Sequence, residues 1–342
     1  MTDTTSGHGT VVSFWNRLSI ALAERQAMWL SGHGSCGCSP WEVLLFAEVT
    51  RQAKEIFCDV LQPASVSWWG DDADAPAGPR AHGVMIVSRT GQLTDPVRPT
   101  SPPAEVPALP SPLLELAGPE AALPRRPRPE RWRSVRLGGT RFVVFHAPYA
   151  AGSDVAEKLS NRLHKRRAYL DLMAFLVECL KAGERVVLGL DGNNWTDFLE
   201  GGEPPPGRNR RYRNRLLRIL DHETDLFDAE LAFHGPTPPH GLIDTLRRAH
   251  HLGRYDDPHG SRDAAAQFGE PLAVTHRLTH AVHRMDRIYA SPEIPILRAG
   301  VCHGSMTRDD VMRPGRHHLA PGSDHALVWA ELDLTRPSRR RG

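Results

Sequence analysis

Arg185-Val186-Val187-Leu188-Gly189-Leu190-Asp191-Gly192-Asn193-Asn194 is the stretch whose reading decides the fold. Its first half is an apolar Val/Leu run bounded by Gly183 and Gly192, the pattern of a short strand buried on both faces. At Asp191 the polarity changes abruptly. A carboxylate and a carboxamide two residues apart, carried out of a core into a turn, suit the start of a hard-cation site. Asp, Gly and Asn are also the commonest turn formers, so the stretch alone leaves both readings open.

Working outward, Glu157 to Leu180 is the longest helical candidate, and it delivers the chain into this strand. Further upstream, Val11 to Trp15 reads as a strand ending at Asn16, and Leu18 to Leu30 as a helix. Val43 to Ala47 reads as a buried strand ending at Glu48. Thr50 is placed to cap a helix that runs to Leu61. Ser65 to Trp69 and His82 to Ser88 are further strand candidates. Ser134–Leu137 and Arg141–Phe145 suggest a hairpin about Gly138-Gly139, leading into His146-Ala147-Pro148. Downstream, Arg208 to Leu220 is a basic helix candidate. Leu226–Phe233 and Leu242–Leu246 suit short strands or turns, and Met285–Ala290 and Ala326–Leu332 are the last two strand candidates. Strands and helices intersperse, but strands also adjoin as hairpins. The pattern is a mixed-sheet α/β sandwich more than a doubly wound parallel sheet. Between about residues 90 and 130, prolines recur too densely for helix or central strand, which reads as an extended insertion.

Composition narrows the class. The chain has 342 residues, 24% charged and 40% hydrophobic, enough for a folded soluble protein with a sizeable core. A formal net charge of +2 names no partner by its sum. The five cysteines are scattered, Cys36 and Cys38 stand too close for an ordinary disulfide, and no second pair has zinc-ligand spacing, so thiols are expected. The N-terminus lacks a signal segment and no apolar run approaches the roughly 20 residues needed to span a bilayer. A cytoplasmic protein with no membrane contact and no obligate protein partner is the expectation.

Several strand candidates end in residues suited to metal or phosphate chemistry: Asn16, Glu48, His146, and Asp191 with Asn193. Asp286 lies within Met285-Asp286-Arg287-Ile288-Tyr289, and Ser323-Asp324-His325 precedes the last strand. Gathered at one rim, such carboxylates, amides and imidazoles suit a divalent cation and a phosphate, with oxygen donors favouring Mg2+ or Mn2+ over Zn2+.

The ordered motifs Asn16, Glu48, His146-Ala147-Pro148, Asp191-Gly192-Asn193, Met285-Asp286-Arg287-Ile288 and Ser323-Asp324-His325 resemble the endonuclease/exonuclease/phosphatase superfamily, which includes deoxyribonuclease I, abasic-site endonucleases and sphingomyelinase- and inositol-phosphatase-like enzymes. The likeness runs from Val11 to about Leu334. It implies a deoxyribonuclease I-like four-layer α/β sandwich, two mixed β-sheets flanked by helices. One catalytic domain would span 11–334, with the Pro-rich insertion inside it and flexible tails at 1–10 and 335–342. The resemblance further implies that Glu48 is the principal metal carboxylate, helped by Asn16 and Asp324, with Mg2+ or Mn2+ bound. Asp191 would orient or deprotonate the attacking water, and Asn193 would hold phosphate or water. His325 would contact the scissile phosphate, with Asp286 fixing its tautomer. His146 would stabilise the transition state or protonate the leaving group. Two departures stand out. Gly192 replaces a bulky residue in the turn, and the His82–Ser88 strand offers no carboxylate as a partner for His146.

For the substrate, the run Arg208-Asn209-Arg210-Arg211-Tyr212-Arg213-Asn214-Arg215 suits a phosphate backbone, with Tyr212 and Trp195 able to stack on bases. Lys165-Arg166-Arg167 and Arg339-Arg340-Arg341 are further basic clusters. Nucleic acid, DNA before RNA, is the substrate expected. A small phosphate ester (nucleotide, inositol phosphate or lipid headgroup) and a non-catalytic nucleic-acid-binding module are the alternatives.

Overall fold

The computed structural model describes residues 9–16, 22–32, 41–72, 75, 82–98, 130–149, 155–193, 232–234, 238–256, 276–278, 281–302, 323 and 325–335. In chain order its helices and strands begin with β1 (Thr10–Asn16), α1 (Ala23–Ser31), β2 (Val43–Thr50), α2 (Arg51–Leu61), β3 (Ser65–Trp68), β4 (His82–Ser88) and β5 (Thr94–Val97). They continue with β6 (Trp132–Leu137), β7 (Thr140–His146), α3 (Val155–Lys181), β8 (Arg185–Asp191), β9 (Ile243–Asp244) and α4 (Thr245–His251). The last are β10 (Tyr255–Asp256), β11 (His276–Leu278), β12 (Ala281–His283), β13 (Asp286–Ala290), β14 (Ile296–Cys302) and β15 (Leu327–Leu332).

Two mixed sheets carry the fold. One has the order β10-β14-β15-β1-β2-β4-β3 and the other β5-β6-β7-β8-β13-β9, with β11 and β12 forming a separate two-stranded ladder. β1 and β2 are parallel, as are β7 and β8, while β13 runs antiparallel to β8. Three apolar layers fill the spaces. Between the sheets lie Phe14 and Leu45 from one side, and Phe142, Val144, Val187 and Ile288 from the other. Outside the first sheet, Trp15, Leu44 and Phe46 pack on Ala27 and Leu30 of α1 and Phe57 of α2. Outside the second, Phe145, Leu188 and Leu190 pack on Tyr169, Leu172 and Leu176 of α3. The result is the four-layer sandwich, helices–sheet–sheet–helix.

The period of two explains the opening stretch. In β8, Val186, Leu188 and Leu190 face α3, whereas Val187 and Gly189 face the other sheet. Gly189 sits where the sheets come closest. A Cβ there would lie 2.6 Å from Leu45 Cδ1 and 2.8 Å from Phe14 Cδ2, below any tolerable contact.

Several boundaries differ from the sequence reading. β2 does not stop at Glu48 but runs to Thr50, because a bulge between Phe46 and Val49 absorbs one residue. Thr50 caps α2, its side chain accepting from Ala53 N at 3.3 Å. The Pro-rich region begins with β5, which contains Pro96 at a sheet edge, where a missing N–H is tolerated. Within Leu242–Leu246, read as a short strand or turn, a two-residue strand leads directly into α4, capped by Asp244. β14 was not anticipated, since Arg298 and Gly300 interrupt its apolar run. Cys58, Cys179 and Cys302 are free thiols. Among the described residues, no helix is long and apolar enough to cross a membrane.

Candidate active site

The same alternation that buries Val187 and Gly189 between the sheets carries Asp191 to the end of that seam. Register then brings others to it. Asp191 is paired with His146 on parallel β7 and with Asp286 on antiparallel β13, so the three form one row across three strands. On the facing sheet, Asn16 ends β1 with the same parity as Val12 and Phe14. It reaches across to Asp191, donating from Nδ2 to Oδ2 at 2.7 Å. Asp191 and Asp286 are fully buried, and Asn16, His146 and His325 nearly so.

Two buried carboxylates on neighbouring strands repel each other unless positive charge or donors intervene. Here donors are supplied. His325 Nδ1 lies 2.8 Å from Asp286 Oδ2, and ligand atoms of Asp191, Asp286 and His325 all lie within 4.8 Å of one another. Asn193 N donates to Asp191 Oδ1 at 2.8 Å. Burial alone would raise the Asp191 carboxyl, but His325, His146, Asn193 N–H and the Asn16 amide together hold it below its usual range. Burial, with Arg131 and His82 adding to it, pushes His146 down to about 3. That ring is therefore neutral near pH 7.

His325 is fixed by its own segment. Ser323 Oγ donates to Asn16 O at 2.9 Å and accepts from His325 N, while Trp15 Nε1 donates to His325 O at 2.9 Å. The last motif is thus hooked to the end of β1. A proton on Nδ1, donated to Asp286, leaves Nε2 as the second hydrogen-bonding atom of the ring.

The opposite side of the site is built on strained backbone. Glu48 and Asn193 are two of the four non-glycine residues with positive φ among those described, at 57° and 47°. Such conformations cost of order 1 kcal/mol for a residue with a Cβ and persist where the surroundings over-determine them. For Glu48 the cause is the bulge. It is the extra residue of β2, next to Ala47, which pairs with Asn16. The bulge leaves its half-buried carboxylate 3.6 Å from His146 Nε2. For Asn193 the cause is a set of anchors. Its amide Nδ2 donates to Ala147 O at 2.8 Å, Lys165 Nζ donates to Asn193 O at 2.8 Å, and Tyr169 OH donates to Gly192 O at 3.0 Å. With Gly192 in place of a bulky residue, the turn is still held, because α3 grips the carbonyls of both Gly192 and Asn193.

That grip is a correction and an addition. Lys165, read from sequence as part of a basic surface cluster, is buried and points into the site, and Arg167 pairs with Asp171 at 2.9 Å on its own helix. Tyr169 continues into a buried polar chain, meeting His234 Nε2 at 3.0 Å, whose Nδ1 meets Tyr289 OH at 2.7 Å. Neither Tyr169 nor His234 was singled out from sequence. Tyr169 had a legible signal, lying four residues from Lys165 on one face of the long helix. Arg131 was also missed. It lies directly opposite His146 in the β6–β7 hairpin, one pair beyond Trp132↔Phe145.

The structure brings together Asn16, Glu48, His146, Asp191, Asn193, Asp286 and His325. Asp324, Trp195, Arg208, Arg210, Arg211, Tyr212 and Arg213 lie outside the described residues. The donor set fits a hard divalent cation, since carboxylate and carboxamide oxygens outnumber the two imidazoles. The tightest group of donors, Asp191–Asp286–His325, is not the set that the resemblance assigns to metal. Both Asp191 oxygens are engaged by Asn193 and Asn16, and Asp286 Oδ2 by His325.

A two-sheet sandwich with its polar site at the mouth of the inter-sheet seam defines a class, and the chain has the deoxyribonuclease I-like fold of endonuclease/exonuclease/phosphatase proteins. It is similar to an AP endonuclease from Archaeoglobus fulgidus, with TM-score 0.55 and 14% identity over 95% of this chain and 100% of that one. It is also similar to the 3' phosphatase NExo from Neisseria, whose structure holds a product DNA hairpin, with TM-score 0.51 and 18% identity over 95% and 99%. A third similar structure is an endonuclease/exonuclease/phosphatase from Bacteroides vulgatus, with TM-score 0.52 and 12% identity over 95% and 98%. No protein-family model matches the chain, and no curated protein does.

Proposed function

We propose that this chain is a divalent-metal-dependent phosphodiesterase that hydrolyses nucleic acid, DNA in the first instance. The observation that carries the reading is the single row His146–Asp191–Asp286, closed by the Asp286–His325 and Asn16–Asp191 hydrogen bonds. Hydrolysis of a phosphodiester needs a positioned water, charge stabilisation at the phosphorus and a path for the leaving oxygen. Asp191 is ionised and already accepts from two donors. A carboxylate held at low pKa is a weak base, so its part is to orient the attacking water more than to deprotonate it. His325, braced by Asp286, presents Nε2 to the scissile phosphate, and Asn193 is fixed at the same rim.

Glu48 and Asn16, with Asp324 beside His325 in sequence, would hold Mg2+ or Mn2+. When bound, that ion supplies charge neutralisation worth several kcal/mol at the transition state. The DNA assignment draws support from the similar proteins, which include an AP endonuclease and an enzyme seen with DNA product. It also draws on the basic run that follows the site strand in sequence.

Purified protein assayed with Mg2+ or Mn2+ on DNA, RNA and small phosphate esters tests the reading. Metal-dependent cleavage of DNA, lost on adding EDTA, is the expected outcome. Hydrolysis of a small ester with no attack on either nucleic acid replaces the substrate assignment. Salt-sensitive DNA binding without hydrolysis replaces the enzyme by a binding module.

A further inference from the structure

We infer that Arg131 is a positioning residue that fixes His146 as an Nε2–H donor facing the cleft between Glu48 and Asp191, so that this ring acts by hydrogen bonding and not as a proton shuttle. The inference deepens the phosphodiesterase reading and, for its catalytic part, rests on it.

The hairpin register places Arg131 opposite His146, and the two are joined twice. His146 N donates to Arg131 O at 2.7 Å, and the Arg131 guanidinium meets His146 Nδ1 at 3.0 Å. On the other side of the ring, Asn193 Nδ2 stands 3.1 Å from His146 Nε2. Arginine and an amide NH2 are both donors, and a neutral imidazole has one acceptor nitrogen. Only one of these contacts is therefore a hydrogen bond. Three facts favour Arg131. A guanidinium has no acceptor, and its charge-assisted bond is roughly twice as strong as a neutral one. The Asn193 NH2 is already placed by Ala147 O at 2.8 Å, so it does not depend on the ring. Asp191 Oδ2 at 3.7 Å places negative charge beside Nε2, which favours a proton there.

The consequence is a ring with no spare lone pair. With Nδ1 held by Arg131 and Nε2 carrying hydrogen, His146 can donate to a phosphoryl oxygen that enters beside Glu48. It has no nitrogen left to take a proton from water while Arg131 stays in place.

Two measurements on the intact protein test this. Long-range 15N–1H spectra of histidine-labelled protein, with His146 assigned by its loss in His146→Gln, report which nitrogen lacks hydrogen. Wild type and Arg131→Lys are expected to show the unprotonated nitrogen at Nδ1. In Arg131→Met it is expected to move to Nε2 as the Asn193 amide takes over. An unprotonated Nε2 in wild type, or an unchanged Nδ1 in Arg131→Met, overturns the inference whatever the enzyme's activity. Kinetics then test the role. Arg131→Met is expected to lower kcat by about 10- to 100-fold with KM within about threefold, and Arg131→Lys to recover most of the loss. A tautomer that shifts with no change in kcat overturns the catalytic part. Failure of wild type to cleave any phosphodiester overturns the proposed function and leaves the spectra to decide the tautomer.

Discussion

On one side of the cleft, His325 leans its Nδ1 on a carboxylate, Asp286, at 2.8 Å; on the other, His146 leans its Nδ1 on a guanidinium, Arg131, at 3.0 Å. The rings are equally buried and share Asp191 between them, yet their partners have opposite sign. A carboxylate behind a ring stabilises its charged form, and a cation behind it stabilises the neutral form. Under the proposed function the two histidines have different work, His325 as a carboxylate-braced contact to phosphate and His146 as a neutral donor. Residue type alone does not separate these roles; the strand register that selects each partner does.

The comparison breaks most cleanly through the larger side. His325→Ala is expected to lower kcat by about 10³-fold or more, because it removes both the proposed phosphate contact and the ring that Asp286 braces beside Asp191. His146→Ala is expected to cost nearer 10²-fold. Steady-state rates for the two variants side by side, with circular dichroism confirming the fold, decide the order. Equal losses would mean that the two rings do the same job.

A third buried histidine gives the baseline for neutral imidazole. His240 Nε2 meets Phe233 O at 2.9 Å and its Nδ1 accepts from Leu242 N at 3.1 Å; burial pushes it down to about 4, against a weaker upward pull from Phe233 O. The folded value is below the ordinary 6.5, so the unfolded chain binds the proton first as pH falls. This ring costs nothing above about pH 7, and its penalty grows as pH drops through 6.5 towards 4. Denaturant unfolding should show a loss of about 2 kcal/mol from His240 between pH 7 and pH 5, an amount that His240→Asn removes. An equal pH slope in the variant would return the loss to other groups.

Glu48 tests the His146 side at smaller cost. Glu48→Gly relieves the φ of 57° and should raise stability by roughly 0.5–1 kcal/mol, while sharply raising the Mg2+ requirement for turnover. Thermal melts and a metal titration check the two halves separately. A destabilised variant with an unchanged Mg2+ titration removes Glu48 from the metal shell. The smallest effect is expected from Lys165→Met, a drop in kcat of several fold through the freed Asn193 carbonyl, read with KM unchanged. A change confined to KM would place Lys165 on the substrate.

How far these features were legible in the sequence follows from the range of the interactions. The strand ends at Asn16, His146 and Asp191 could be read because alternation and apolar runs are local signals. Their meeting is written in pairing register, which the hairpin about Gly138-Gly139 discloses for Arg131 and His146 and nothing local discloses for Asp191 and Asp286. Glu48 was placed at a strand end, whereas a bulge inside a longer strand presents it, and bulges leave no mark in hydrophobic period. Lys165 looked like surface charge because its neighbours Arg166 and Arg167 are basic. Its burial depends on a carbonyl 28 residues away. Nothing local in the sequence explains Gly189, and only the approach of Phe14 and Leu45 from the other sheet gives its reason.

The measurement that tests the central claim most directly is Mg2+-dependent cleavage of end-labelled DNA by wild type and Asp191→Asn, each with and without EDTA. Wild type should cleave only with metal, and Asp191→Asn should be slower by about 10³-fold with its fold retained. Cleavage that survives Asp191→Asn at the wild-type rate would contradict a site centred on Asp191.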